Sequence, residues 1–159
     1  MKLKVDTEIV CKNGEAIFVH LCLWRVQCPQ ILEYLKENDN KLDISVEALR
    51  VIESFVYGTT LKLEQESLEL LLEVYFYASR FSIKFLEWKA LKAIGSLVQQ
   101  NNNSLLKALH WGNENNKEDI KQICLHYASN KTFEDEELDR YSQQIEILIS
   151  KVFYFKSCY

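Results

Sequence analysis

The residues that could do chemistry in this chain of 159 residues are few and loosely spaced. His20 with Cys22, and Cys124 with His126, carry the side chains of a zinc site. A structural zinc needs four ligands that converge tetrahedrally, usually from Cys-x-x-Cys or His-x-x-x-His spacings. His-x-Cys and Cys-x-His lack that character, and Cys124 falls on an apolar helical stripe, so the spacing favours a free buried thiol. Cys28 stands at a helix start beside Pro29, where the helix dipole favours a thiolate. A nucleophile would also need a base and an electropositive, partly exposed setting; capping or packing is the role expected of Cys28. Asp6 and His20 are expected to form a hydrogen-bonded polar pair at the base of a sheet rather than a charged pocket for a peptide. The acidic run Glu134 to Asp139 reads as an exposed helix start, its carboxylates favoured by the dipole. No Gly-rich phosphate loop, Gly-x-Ser-x-Gly, His-Glu-x-x-His or paired-carboxylate cleft is present in the sequence. The expectation is no enzyme activity, no cofactor, no metal and no small-molecule substrate.

Composition narrows the partners. A net charge of −4 without a Lys/Arg cluster argues against nucleic acid, whose phosphates need a concentrated basic face. No apolar run approaches the length of a membrane span. The opening MKLKVDTEIV puts charges where a signal peptide needs an apolar core, so secretion is not expected. The five cysteines have no regular spacing and read as reduced thiols, placing the chain in the cytoplasm or nucleus. Eight Tyr, eight Phe and three Trp supply ample bulky surface to bury or to offer a partner.

These residues must be positioned by an α+β arrangement. Val5 to Cys11 alternates, Asn13-Gly14 is a two-residue hairpin turn signal, and Ala16 to His20 is the return strand. Leu21 to Val26 is a short apolar run. Pro29 suits the first turn of a helix that carries Ile31, Leu32 and Leu35 on one face. Asn38-Asp39-Asn40 is a polar break before a short strand at Lys41 to Ile44. Ser45 is the expected N-cap of a helix with Val46, Leu49, Ile52, Phe55 and Val56 along its stripe, ended by Gly58. Leu61 and Leu63 suggest one more extended piece. Helices follow over Leu68 to Phe81 and over Phe85 to Val98, the latter with Leu86, Ala90, Ala93, Ile94 and Leu97 inward. The run Gln99 to Asn103 marks a boundary. Ser104 to His110 and Lys117 to Ser129 form a helical hairpin across Gly112 to Asn116, and a last helix is expected from Asp135 to Phe153.

That order, hairpin, helix, short strand, helix, short strand and helix pair, resembles the BTB/POZ core. Asp6 matches an Asp of the family's first strand and His20 the His after its second. Leu23 through Ile31 follows the family's VLAARSPYF run with Cys28-Pro29 in place of Ser-Pro. Glu47-Ala48-Leu49 and then Ile52 to Tyr57 are similar to EAFEALLEFIYTG, with Gly58 one position early relative to Tyr-Thr-Gly, and Ser67 to Leu86 is similar to ENLLELLELADYLQIPSL. Leu21 replaces the basic residue common after the His, and the chain starts at the first core strand. The resemblance implies a BTB/POZ fold over residues 1–98, a small mainly N-terminal sheet packed on a helical cluster. Residues 99–159 then form a C-terminal helical extension. Within it, Asn103 to Ala128 looks like the helical pair of cullin-3 adaptors and Lys131 to Lys151 like the start of a BACK domain.

Leu35-Lys36-Glu37 fits the hydrophobic-x-Glu motif that such adaptors place before the third strand. The resemblance therefore implies an adaptor that docks a cullin-3-type scaffold of a ubiquitin ligase. Its contacts would come from Leu35 and Glu37, the loop after Tyr57 with Thr59, and Leu105 and Leu109. Leu35 would insert as the apolar anchor within a polar rim. The alternative is a BTB oligomerisation module, self-associating or serving transcriptional or cytoskeletal partners. No kelch or MATH module for choosing a target is visible.

Overall fold

The computed structural model describes residues 6–129 and residue 131. Among them the chain is α+β and mostly helical, with one two-stranded antiparallel sheet and seven α-helices. No helix of the described residues is long and apolar enough to cross a membrane.

Strands β1 (Thr7–Val10) and β2 (Ala16–Val19) pair with Thr7 opposite Val19 and Val10 opposite Ala16. Alternation puts Ile9 and Cys11 in the core beside Ile17 and Val19. The turn differs from the two-residue form. Cys11 N–H donates to the Glu15 carbonyl at 2.8 Å, and Gly14 N–H donates to the Cys11 carbonyl at 2.9 Å. Gly14 alone of the pair is left-handed, at φ +84°, while Asn13 uses its side-chain oxygen to accept Glu15 N–H at 3.0 Å. A three-residue loop needs only one positive φ, which the glycine supplies without strain.

The Cys11–Glu15 bond also fixes which backbone groups face which way. Antiparallel alternation turns those of Ala16, Phe18 and His20 away from β1. Among the described residues β2 is thus the outer strand, and its Ala-Ile-Phe-Val carries neither charge nor proline. The strand expected at Lys41 to Ile44 is reduced to a parallel bridge, Val10 to Lys41. Val10 N–H reaches the Asn40 carbonyl at 2.9 Å, Leu42 N–H reaches Val10 at 2.9 Å, and Lys12 N–H reaches Ile44 at 3.1 Å. Asp39 and Asn40, at φ 50° and 57°, turn the chain into this line, and beyond the bridge Ile44 N–H turns back onto the Leu42 carbonyl at 2.8 Å.

The apolar run after His20 is helix α1 (Leu21–Gln27), and Pro29 opens α2 (Pro29–Glu37). Helix α3 (Val46–Val56) starts where Ser45 Oγ accepts Ala48 N–H at 3.1 Å. The extended piece expected at Leu61 and Leu63 is instead a single 3-10 turn, Leu63–Gln65, which buries Leu63. Helix α4 (Leu68–Arg80) is capped in the same way by Ser67, which accepts Leu70 N–H at 3.2 Å. Its Glu73 is an anchor: one carboxylate oxygen accepts Ser45 N–H at 2.8 Å and Lys12 Nζ at 3.2 Å, the other Ser45 Oγ at 2.5 Å. Tyr77, also on α4, donates its hydroxyl to the Asp43 carbonyl. The N-cap of α3 is thereby tied to the buried helix that carries Leu71, Val74, Tyr75 and Ala78.

Helix α5 (Lys84–Gln100) runs on through the glutamines, and only Asn101 interrupts the polar run, capping α6 (Asn102–Glu114). Its side chain accepts Asn103 N–H at 2.8 Å and Ser104 N–H at 3.2 Å. The chain divides into two compact units inside α5, Met1–Ala90 and Leu91–Tyr159, whereas the sequence places the domain change at residues 98 and 99. Helices α6 and α7 (Glu118–Ala128) form the expected hairpin. Gly112, expected at the start of its connection, belongs to α6 and marks a close approach. A Cβ there would stand 3.2 Å from Ile120 Cγ2 and from Lys121 Cγ. Asn116, at φ 52°, makes the turn between the helices. The helix expected over residues 135–153, the acidic run Glu134 to Asp139 and the tail Tyr154 to Tyr159 lie outside the described residues.

Candidate functional site

Helix α2 places Leu35 and Glu37 on different sides. Leu35 shares the inner face with Ile31 and Leu32 and is only 2% exposed. Its carbonyl accepts Asn38 N–H at 3.2 Å and Asn40 N–H at 2.9 Å, which closes the helix end. Asn38 Nδ2 adds a bond to the Tyr34 carbonyl at 2.7 Å. Glu37, in the last helical position, is exposed. The insertion expected of Leu35 therefore has no exposed side chain to start from, whereas Glu37 stands clear.

Tyr57 and Thr59 are held by the end of α3. Gly58, at φ +68°, lets its own N–H reach the Phe55 carbonyl at 3.0 Å and Thr59 N–H reach Ser54 at 2.9 Å. Those two bonds make the Schellman closure, which needs a residue tolerant of the left-handed region. Thr59 Oγ1 donates to the same Ser54 carbonyl at 2.9 Å, and Thr59 is exposed. Tyr57 is half-buried because its hydroxyl is engaged at the sheet. It accepts the backbone N–H of His20 at 3.1 Å and lies 2.6 Å from His20 Nδ1. The hydroxyl's own proton completes that second bond when the imidazole carries its hydrogen on Nε2. The rings meet edge-to-face at 5.6 Å.

The Asp6 carboxylate accepts Leu21 N–H at 3.2 Å, at the first turn of α1. The bonds at this sheet end thus join Asp6 to the Leu21 backbone and His20 to Tyr57, which sequence spacing alone does not connect to residue 20. In the other unit, Leu105 and Leu109 lie on the buried face of α6 with Leu106 and Ala108 and expose nothing.

Cys11, Cys28 and Cys124 are buried and behave as packing residues, whereas Cys22 is exposed. Cys28 occupies the N-cap of α2 without a side-chain cap bond, and burial pushes its thiol up to about 12. Burial does the same to Cys124, also to about 12. Neither is a thiolate at neutral pH. No group of three or more His, Cys, Asp and Glu placed to hold a metal is found among the described residues.

Between the start of β1 and helices α1 and α2 lies an open groove of about 390 Å³. Leu21, Pro29, Leu32 and the edge of Leu35 form its apolar wall, and Arg25, Glu33 and Lys36 its charges. A second surface was not legible from the apolar stripes. Phe85 and Trp88 on α5 point outward, off the stripe that buries Leu86 and Ala90. Phe85 stacks on Phe55 of α3 with centroids 6.3 Å apart and lies 6.0 Å from Trp88. The signal that could have found them is their position: two large aromatics three residues apart, both off the inward helical face. No family model matches this chain, and a search of curated proteins finds no match to it either.

Proposed function

We propose that this chain has the BTB/POZ architecture and serves as a protein–protein interaction module. In this reading it docks a cullin-3-type scaffold of a ubiquitin ligase and carries out no chemistry itself. The observation that carries it is the locked turn after α3. Tyr57 is pinned to His20, and the Schellman bonds at Gly58 hold Thr59 exposed. A contact loop fixed before binding loses less conformational freedom when a partner docks. Glu37, exposed at the closed end of α2, adds a carboxylate for a hydrogen bond or a charge contact at the rim. Leu35, Leu105 and Leu109 act through the helices they hold rather than by touching the partner.

The test is a calorimetric titration of the scaffold's N-terminal domain with the wild-type chain and with Glu37→Arg. Micromolar binding by wild type, weakened roughly tenfold in the variant, is expected for an interface with Glu37 at its rim. No wild-type binding at about 100 µM, a free energy near −5.5 kcal/mol, overturns the reading.

A further inference from the structure

Helix α5 leaves Phe85 56% exposed and Trp88 55% exposed, while Leu86 and Ala90 of the same helix are buried. Neither exposed ring stands alone. With Phe55 they form a continuous aromatic surface that joins α3 to the first turns of α5. Scattered apolar side chains on a surface need no explanation, but large aromatics in contact with one another mark sites of protein association.

The charges around the rings are unequal at the surface. Lys84 stands four residues before Trp88, on the same face, and pairs with Glu87 at 2.8 Å. Its side chain is 77% exposed and that of Glu87 only 15%, so the lysine is the more accessible partner of the pair. Lys89, four residues after Phe85, holds its Nζ 5.2 Å above the Phe85 ring. The result is an aromatic centre with a cationic rim.

We propose that Phe55, Phe85 and Trp88, rimmed by Lys84 and Lys89, are a docking surface for an acidic amphipathic helix of a protein partner. Such a helix covers the rings with aliphatic side chains and brings carboxylates to the two ammonium groups, the usual form of helix recognition on an apolar surface. Two lysines in a chain of net charge −4 are too few for a phosphate backbone. They are also too few for stable attachment to an anionic bilayer. The surface supplies the apolar anchor that an interface needs and that Leu35, being buried, does not offer. It stands independently of the cullin reading, since the argument uses neither Glu37 nor Thr59.

The experiment uses the full chain and a fluorescein-labelled synthetic helical peptide with leucines along one face and glutamates flanking them. A second peptide carries lysines in place of the glutamates, and vesicles of phosphatidylcholine with phosphatidylserine form a third arm. Wild type is expected to bind the glutamate peptide and to prefer it to the lysine peptide and to the vesicles. Trp88→Ser and Phe85→Ser should each weaken that binding roughly tenfold, the cost of losing a central aromatic anchor. Lys84→Glu with Lys89→Glu should reverse the preference between the two peptides. Far-UV circular dichroism, unchanged in these exposed-site variants, separates lost docking from lost folding. Equal affinity in wild type and Trp88→Ser, no binding of the glutamate peptide, or a preference for vesicles overturns the proposal. Scaffold binding retained by Trp88→Ser, or absent even from wild type, bears on the cullin reading alone.

Discussion

The turn after α3 and the helical hairpin of α6 and α7 treat their expected contact residues in opposite ways. At the turn, backbone closure and the Tyr57–His20 bond consume the interior groups and leave Thr59 outside. In the hairpin, the leucines expected to meet a partner meet the molecule itself, since Leu105 and Leu109 are fully buried. The resemblance names contact residues in both places, but residue type and spacing say nothing about what covers a side chain. A partner-facing leucine and a core leucine have the same spacing. The exposed apolar side chains worth asking about lie off the stripe, as Phe85 and Trp88 do.

The comparison can be broken most sharply at the buried leucines. Leu109→Asp, and in the other unit Leu35→Asp, would each strand a carboxylate in the core. Either should cost about 4 kcal/mol or more, read as a collapse of the urea midpoint or failure to fold. A variant that keeps the wild-type midpoint would show its leucine to be a surface residue after all. A smaller effect is expected at Gly112, where the helices approach so closely that a Cβ already meets Ile120 and Lys121. Gly112→Val should cost about 2 kcal/mol through crowding, seen as faster hydrogen exchange in α6 and α7. The smallest change is Tyr57→Phe, which removes the hydroxyl but keeps the ring. It should cost about 1 kcal/mol, with faster exchange at His20 N–H and none of the Gly112 effect in α6 and α7.

Much of the fold was legible because local chemistry decides it. Ser45 and Ser67 are caps that need only their own helix, and Pro29 and Gly58 act on the backbone where they stand. The same locality explains the misses. At the hairpin, one left-handed glycine with an Asn13 side-chain bond replaced the two-residue turn. The third strand came out as a bridge because Ile44 N–H turns back onto the Leu42 carbonyl, a local bond that no residue spacing announces. Gly112 reads as a loop residue in sequence, yet its lack of a side chain serves a contact with a helix that follows it. The candidate site was less legible. Tyr57 and Thr59 follow from the helix stop, but the His20 partner is 37 residues away and no spacing rule connects them. Leu35 carries the right residue type at the right position, and only the surrounding helices show that its side chain is already in use.

The Tyr57 hydroxyl has one further consequence, and it concerns growth rather than binding. Among the described residues, β2 turns the backbone groups of Ala16, Phe18 and His20 outward along an uncharged strand, the sort of edge that recruits other strands. The strand has no lysine or proline to discourage that, but at its far end the His20 N–H is already taken by Tyr57. A phenol from a neighbouring helix therefore acts as a stopper, limiting what another chain can add to a stretch shorter than one strand. Removing it would lengthen the open edge by a residue, at the place where an ordered sheet and an aggregate differ only in where pairing stops.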